Sequence, residues 1–457
     1  MDVEEESSGG EDLAIYSTKM AFVHDQSCEC TKTELDLFSV PPTQTSIESG
    51  TWVEYHPIST IADGTPIEFE IPGNGEDYMD LENTYLYVQA KVVQANGNDL
   101  AADTRVAPTN LFLHSLFSQV DISLNGTQVT SSTNTYPYRA MIESLLSYGH
   151  DTKESQLTSE LFYKDEAGKM DNTTIAAATR NPGFWARCGF TAESKKVDMM
   201  GRIHADIFFQ DRFLLNEVNM KIKLTRSKSN FCLMSENAGP KAQILNATLY
   251  VRKVKLLPSV YLAHAKALEQ SNAKYPIRRV VCKAFTVPQN LQDVSHEKLF
   301  SGQLPSRLVV GLVLNSAFNG HHAQNPFNFR NFNLSEISVF LDGQQQHAIK
   351  PLKLDFTGGQ YISAYLSLFS GTGKINKDEG NYIDRKDFQN GYALYAFDLS
   401  PDLAETDHFN LSREGSVRLA LKFAEALQAT ISVIAFAEYE NVIEIDRNRN
   451  VIFDFTS

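Results

Sequence analysis

Long apolar runs are missing from this sequence. The longest, "RLVVGLVL" and "ISVIAFA", fall far short of the roughly 20 residues a helix needs to cross a bilayer, so no membrane span is expected. Basic charge is also in deficit. Against 56 Asp and Glu stand 41 Lys and Arg, a formal net charge of −15, which argues against a broad nucleic-acid-binding face. No basic run with interleaved aromatics appears either. Cysteine is scarce and odd in number: Cys28, Cys30, Cys188, Cys232 and Cys282 lack zinc spacing and read as free thiols. Cys28-Glu-Cys30 is too close for a relaxed two-cysteine clamp. The sequence opens without a basic segment leading into an apolar one, so the product is expected in the cytoplasm or nucleus rather than secreted. Asn-x-Ser/Thr sites at Asn125, Asn172, Asn246, Asn333 and Asn410 are then chance matches.

Catalytic sets are likewise incomplete. "GTGKI" ends in Gly373-Lys374 like a phosphate loop, yet Ile375 stands where Ser or Thr must hold magnesium. "HEKLF" offers His296 and Glu297, but Phe300 replaces the second histidine of a zinc protease. One enzyme class keeps a candidate set, the jelly-roll iron oxygenases: His204-x-Asp206 followed by His264 has the composition of a two-histidine, one-carboxylate triad. Against it, His264 falls in a linker segment, and no Arg stands where a co-substrate carboxylate needs a bidentate partner. No enzyme activity and no cofactor or metal is expected.

What the sequence does contain is a repeated phrase. In "VDISLNGTQV", Val120, Ile122 and Leu124 alternate with polar residues, and Asn125-Gly126 closes the strand. In "ISVFLDGQQ", Ile337, Val339 and Leu341 do the same before Asp342-Gly343, 217 residues later. Asn-Gly and Asp-Gly accept the positive φ a tight hairpin needs. After each hairpin comes a short amphipathic helix. Tyr138, Met141, Ile142 and Leu145 mark its face in the first copy; Tyr361, Ala364, Tyr365 and Leu368 mark it in the second. Strand, turn, strand and helix recurring in order indicate a duplicated domain.

Strand patterns dominate elsewhere, among them "PIEFEIPG", "TYLYVQAKVV", "ADIFFQD", "NMKIKLTRS" and "SVRLALKFA". Many short strands between turn signals predict an all-β chain, and a jelly roll is the common way to close such a unit. "ISVIAFA" is apolar on both faces, as a strand covered on both sides must be. The expected organisation is an acidic flexible arm at 1–36, a first jelly roll at 37–257, a linker helix at 258–274 and a second jelly roll at 275–457. Two polar excursions, Gly149 to Trp185 and Gly371 to Asn390, follow the two helices and are expected to lie away from the sandwich cores, as outward loops or contacts between chains.

Longer motifs carry a family likeness. "PIEFEIPGNGEDYMDLENTYLYV", "NLFLHSLFSQVDISLNG", "YPYRAMIESLLSYG" and "GRIHADIFFQDRFLLNEVNMKIKL" resemble the first half of major capsid proteins of animal Polinton (Maverick) elements and adintoviruses. "AKYPIRRVVCKAF", "FSGQLPSRLVVGLVLN", "NPFNFRNFNLSEISVFLDGQ", "GYALYAFDLSPDL" and "NVIEIDRNRNV" resemble the second half. The resemblance implies a double jelly roll, two eight-stranded β-sandwiches side by side with short helices. It also implies a homotrimer of six similar lobes, tiling an icosahedral virion shell around double-stranded DNA beside a minor (penton) capsid protein. On this reading His204 and Asp206 belong to the "GRIHADIFF" strand and bind no metal. The competing class is a cellular β-sandwich adaptor, an element capsid gene retained by a host.

Overall fold

The computed structural model describes residues 24, 26–27, 30, 32–73, 75–174, 179–236, 239–342, 344–345, 350–403 and 408–453. Gly343, Cys28 and the acidic residues of the first 23 positions lie outside these. Residues 1–45 and 46–457 are two separate compact units. The described part of the first carries a 3-10 turn at Thr33–Leu35.

The second unit holds sixteen principal strands. The first eight are β1 (Ile47–Tyr55), β2 (Ile67–Ile71), β3 (Tyr78–Val93), β4 (Phe117–Leu124), β5 (Thr127–Gln128), β6 (Val197–Arg202), β7 (Met220–Arg226) and β8 (Lys241–Leu256). They form two sheets in the orders β1-β8-β3-β6 and β2-β7-β4-β5. The next eight are β9 (Ala273–Val287), β10 (Asp293–Gln303), β11 (Arg307–Leu314), β12 (Leu334–Leu341), β13 (Gln344–Gln345), β14 (Leu394–Asp398), β15 (Glu414–Phe423) and β16 (Ile431–Ile445). Their orders are β9-β16-β11-β14 and β10-β15-β12-β13, each strand eight places on from its counterpart. Val451–Ile452 adds to β16 and Leu352–Lys353 to β12, and Val106–Pro108 pairs with Leu233–Ser235 apart from the main sheets. These are two jelly rolls of the same topology: the chain is an all-β double jelly roll. Helix α1 (Tyr136–Ser147) follows β5, α2 (Pro258–Leu268) joins the two lobes, and α3 (Ile362–Ser370) follows β13.

Register shows why the alternation reads as it does. Val120, Ile122 and Leu124 of β4 face Leu224, Ile222 and Met220 of β7, all buried. Between them Lys221 and Lys223 lie across from Glu70 and Glu68 of β2 on the wet side, where Lys221 Nζ reaches Glu68 Oε2 at 3.1 Å. β16 is buried continuously from Ile431 to Ala437 because it is a central strand between β9 and β11 and helix α1 of the other lobe also packs on it. One apolar cluster runs through both lobes.

Two expectations fail here. "ADIFFQD" is no strand: β6 ends at Arg202, and Asp206–Phe209 forms a 3-10 turn in which Asp206, Ile207 and Phe208 are buried in succession. A sheet needs alternation, and three consecutive buried positions deny it. Nor are the two polar excursions outward loops. The first buries Lys153, Leu157, Leu161, Phe162, Asp165 and Phe184, the second Thr372, Asn381, Ile383 and Phe388.

Candidate functional site: the seam between the lobes

The repeated turns come first, since both copies are built alike. Asn125 and Gly126 have φ of 45° and 84°, and Asp342 has φ of 54°. Leu124 pairs with Thr127 across the first turn and Leu341 with Gln344 across the second, which makes both hairpins two-residue turns. Each Asx side chain then does a second job. Asn125 N–H donates to Asn219 O while its Oδ1 accepts from Asn219 N–H at 2.8 Å. Asp342 N–H donates to Ser416 O while its Oδ1 accepts from Ser416 N–H at 3.0 Å. An Asx at this position therefore supplies both the left-handed backbone and the acceptor for the chain entering the neighbouring strand. The first turn also reaches across lobes, Asn125 Nδ2 donating to Arg449 O at 2.8 Å.

The repeated helices, by contrast, are placed differently. On α1, Tyr138, Met141, Ile142 and Leu145 are all buried. Tyr138 stacks on Phe318 at 5.5 Å and meets Phe327 and Phe329 edge-on at 5.7 and 6.5 Å, all three from the second lobe. α3 stays within its own lobe. Tyr361 caps it and stacks on Phe356 at 5.1 Å, Ala364 and Leu368 are buried, and half-buried Tyr365 donates to Ile383 O at 3.2 Å.

Below α1 runs a buried charged layer. Arg139 binds Asp206 at 2.6 Å and Glu143 at 2.9 Å, and Glu143 binds His204 Nδ1 at 2.5 Å. Asp206 also accepts from Val280 N–H of β9 at 3.1 Å, and Thr135 donates to Cys282 O at 2.7 Å. Burial raises the Asp206 carboxyl more than Arg139 lowers it; for Glu143 burial acts the same way, but Arg139 and His204 outweigh it. The oxygenase triad does not assemble. Asp206 is committed to Arg139 and β9, while His264 sits exposed on α2 with Nδ1 against Tyr78 Oη at 3.1 Å.

The two excursions meet one another. Lys153 Nζ donates to Leu145 O of α1 and to Asn381 O of the second lobe, at 2.7 and 2.6 Å. Lys164 binds Asp387 at 2.5 Å and lies over the Tyr382 ring. Asp165, paired with fully buried Arg187 at 2.7 Å, also accepts from Asn181 and from Asn325 of the second lobe, and Tyr392 donates to its carbonyl. Sequence reasoning missed this seam because polar residues were read as solvated, whereas here Lys153 and Lys164 reach Asn381 and Asp387 of the other excursion, and Asp165 reaches Asn325 and Tyr392 of the second lobe. The one legible signal was position, since both excursions directly follow the repeated helices.

No protein-family model matches the chain. The protein described as uncharacterized protein F54H12.2 of Caenorhabditis elegans is 28% identical over 430 residues, covering 91% of this chain and 99% of that one. Among solved structures, a chain of the Sputnik virophage cryo-EM structure superposes with a TM-score of 0.64 at 10% identity over 96% of this chain and 95% of that one. The Faustovirus major capsid protein gives 0.58 at 9% identity over 91% and 93%, and the mavirus major capsid protein 0.51 at 13% over 100% and 97%. Among the described residues no helix is long and apolar enough to cross a membrane. The likeness lies in the fold: the double jelly roll of this chain is the one found in major capsid proteins.

Proposed function

We propose that this chain is a non-enzymatic major capsid protein of the Polinton and adintovirus kind, forming homotrimeric, pseudo-hexagonal tiles of an icosahedral virion shell around double-stranded DNA. Its lobes comprise about residues 46–257 and 275–457, the first starting at Ser46 and not at the expected residue 37 because residues 1–45 are a separate unit; α2 joins them, and the chain's partners are its own copies and a minor (penton) capsid protein. One observation carries the reading: equivalent faces of the two lobes are covered in one case and bare in the other. α1 of the first lobe packs on β9 of the second. The counterparts of those two elements are α3 and β1, and both are open. β1 is exposed over most of its length with Trp52 52% accessible, and α3 presents Ile362 and Leu366 at 53% and 48%. A closed ring of three chains places α3 of each copy on β1 of the next and repeats the internal seam between chains, as cyclic symmetry requires of a head-to-tail contact.

Native mass spectrometry of the wild type should show a trimer of three 51.1 kDa chains, and electron microscopy should show shells. Ile362→Asp with Leu366→Asp should give a folded monomer. A wild type that stays monomeric at micromolar concentration and makes no shells overturns the capsid reading in favour of a cellular adaptor.

A further inference from the structure

Three side chains that the capsid reading leaves unused converge inside the first lobe. His114 stands in the short helix Phe112–Ser115, Glu160 closes the 3-10 turn Gln156–Glu160, and His204 follows β6. All are buried, and their ligand atoms lie within 4.8 Å of one another. His114 Nε2 is 3.2 Å from Glu160 Oε2. Two ligands of a tetrahedral zinc, each about 2.0–2.2 Å from the ion, stand roughly 3.4 Å apart, so this pair is already at the required separation.

The outer nitrogens are held as metal-binding imidazoles are held. His114 Nδ1 meets Tyr136 Oη at 2.8 Å, and His204 Nδ1 meets the Glu143 carboxylate at 2.5 Å. A carboxylate on the far nitrogen fixes the ring and raises the basicity of the near one. With Nδ1 given to Glu143, His204 has Nε2 left to offer, and its ring crosses that of His114 edge-on at 4.6 Å.

Charge points the same way. Glu160 and Asp206 are buried carboxylates and Glu143 a half-buried one, and the guanidinium among them is Arg139. A divalent cation would offset the excess of carboxylate over guanidinium charge, and buried carboxylates without a countercharge are strongly unfavourable. Backbone geometry has also made room. A Cβ on Gly201 in β6 would fall 2.1 Å from Glu160 Oε1, so only glycine lets the carboxylate sit there. The repeated fold itself does not call for the imidazole: 217 residues on from His114 stands Asn331, bonded to Gln389 O.

We propose that His114, Glu160 and His204 bind one divalent transition-metal ion, zinc by this ligand set, as a structural clamp in the first lobe with the fourth position open to water. The site revises the expectation that His204 binds no metal. The histidine belongs to a two-histidine, one-carboxylate set, with partners distant in sequence instead of Asp206 and His264.

The full chain, purified without chelator, should carry one zinc per chain by elemental mass spectrometry. After dialysis against chelator, Zn²⁺ should raise the melting temperature, and Co²⁺ should give the visible absorption of a tetrahedral site that Zn²⁺ abolishes. His114→Asn, which installs the residue of the second copy, should lower zinc occupancy at least tenfold. Glu143→Gln should weaken affinity by about 10- to 100-fold. These readouts do not depend on trimer or shell formation, so they stand apart from a failure of the capsid reading. Should His114→Asn fail to fold, the wild-type Zn²⁺ and Co²⁺ titrations decide alone. Wild type that takes up neither ion, or zinc bound equally by His114→Asn, overturns the site.

Discussion

Lys153→Met should abolish a rise in stability of about 2 kcal/mol between pH 6 and pH 8 that the wild type owes to this one side chain. Lys153 is 2% exposed, and its amine donates to Leu145 O and Asn381 O across the seam. Burial first, then the like charges of Lys164 and Lys374, push its ammonium down to about 6. In the unfolded chain it titrates near 10.4. Between those values the unfolded state binds more protons than the native state, so stability increases with pH. The slope for one proton reaches 1.36 kcal/mol per pH unit once the folded amine is neutral. Starting from half-protonation at pH 6, the gain by pH 8 integrates to about 2 kcal/mol. Both carbonyl acceptors favour the ammonium and oppose burial, which makes this figure an upper bound. Methionine matches the side chain in length but leaves two carbonyls unpaired, a loss of about 1–3 kcal/mol each that is the same at every pH. The diagnostic is therefore the slope and not the offset. Urea unfolding of both proteins at the two pH values gives a difference of differences in which the shared histidine titrations cancel. Equal pH slopes in wild type and variant would refute the reasoning.

Other substitutions test the seam and the turns. Asp165→Ala leaves the guanidinium of Arg187 buried and unpaired, and a loss of roughly 3–5 kcal/mol is expected in the same unfolding assay. Asn125→Ala removes both the residue suited to positive φ and the acceptor for Asn219 N–H; a loss of about 1–3 kcal/mol should appear by thermal melting. His264→Ala removes the partner of the buried Tyr78 hydroxyl and should cost about 1 kcal/mol by thermal melting. In light scattering across a salt series, purified trimers should stay apart at about 10 mM salt, where the Debye length is roughly 30 Å, and associate near physiological strength, where it is about 8 Å. Assembly that needs DNA and dissolves with added salt would instead show phosphate contacts dominating.

The sandwich strands were legible because period-two alternation is a local property. Val120, Ile122 and Leu124 face the core for the same reason that Ile337, Val339 and Leu341 do. The Asx-Gly turns were legible too, although the hydrogen bonds to Asn219 and Ser416 were not, since those partners lie 94 and 74 residues away. Burial of Lys153, Asp165 and Arg187 could not be read at all. A charged residue is buried only where its partners are, and Asn325, Asn381 and Tyr392 reach it from beyond the linker. The histidine cluster fails for a related reason. His114, Glu160 and His204 have no fixed spacing, and the nearer pair His204-x-Asp206 drew attention because it is short in sequence, not because its groups meet.

The two helices carry different chemistry on matching faces. Aligning Tyr138 with Tyr361 sets Arg139 against Ile362 and Glu143 against Leu366. Within one chain the seam forms once, between lobes tethered by a short helix, so buried ion pairs can be seated with their hydrogen-bond partners and contribute register. Between chains the demands differ. Each copy carries −15, and three brought together repel one another over distances that salt must screen. An ion pair at that contact would have to be desolvated on every encounter. In the proposed trimer, apolar contact between the exposed Ile362, Leu366 and the Trp52 face of the next copy would need no ion desolvation, and screening by salt would not weaken it. On the trimer proposed above, the tethered face of the two repeats is the charged and specific one, and the face offered to another copy is apolar.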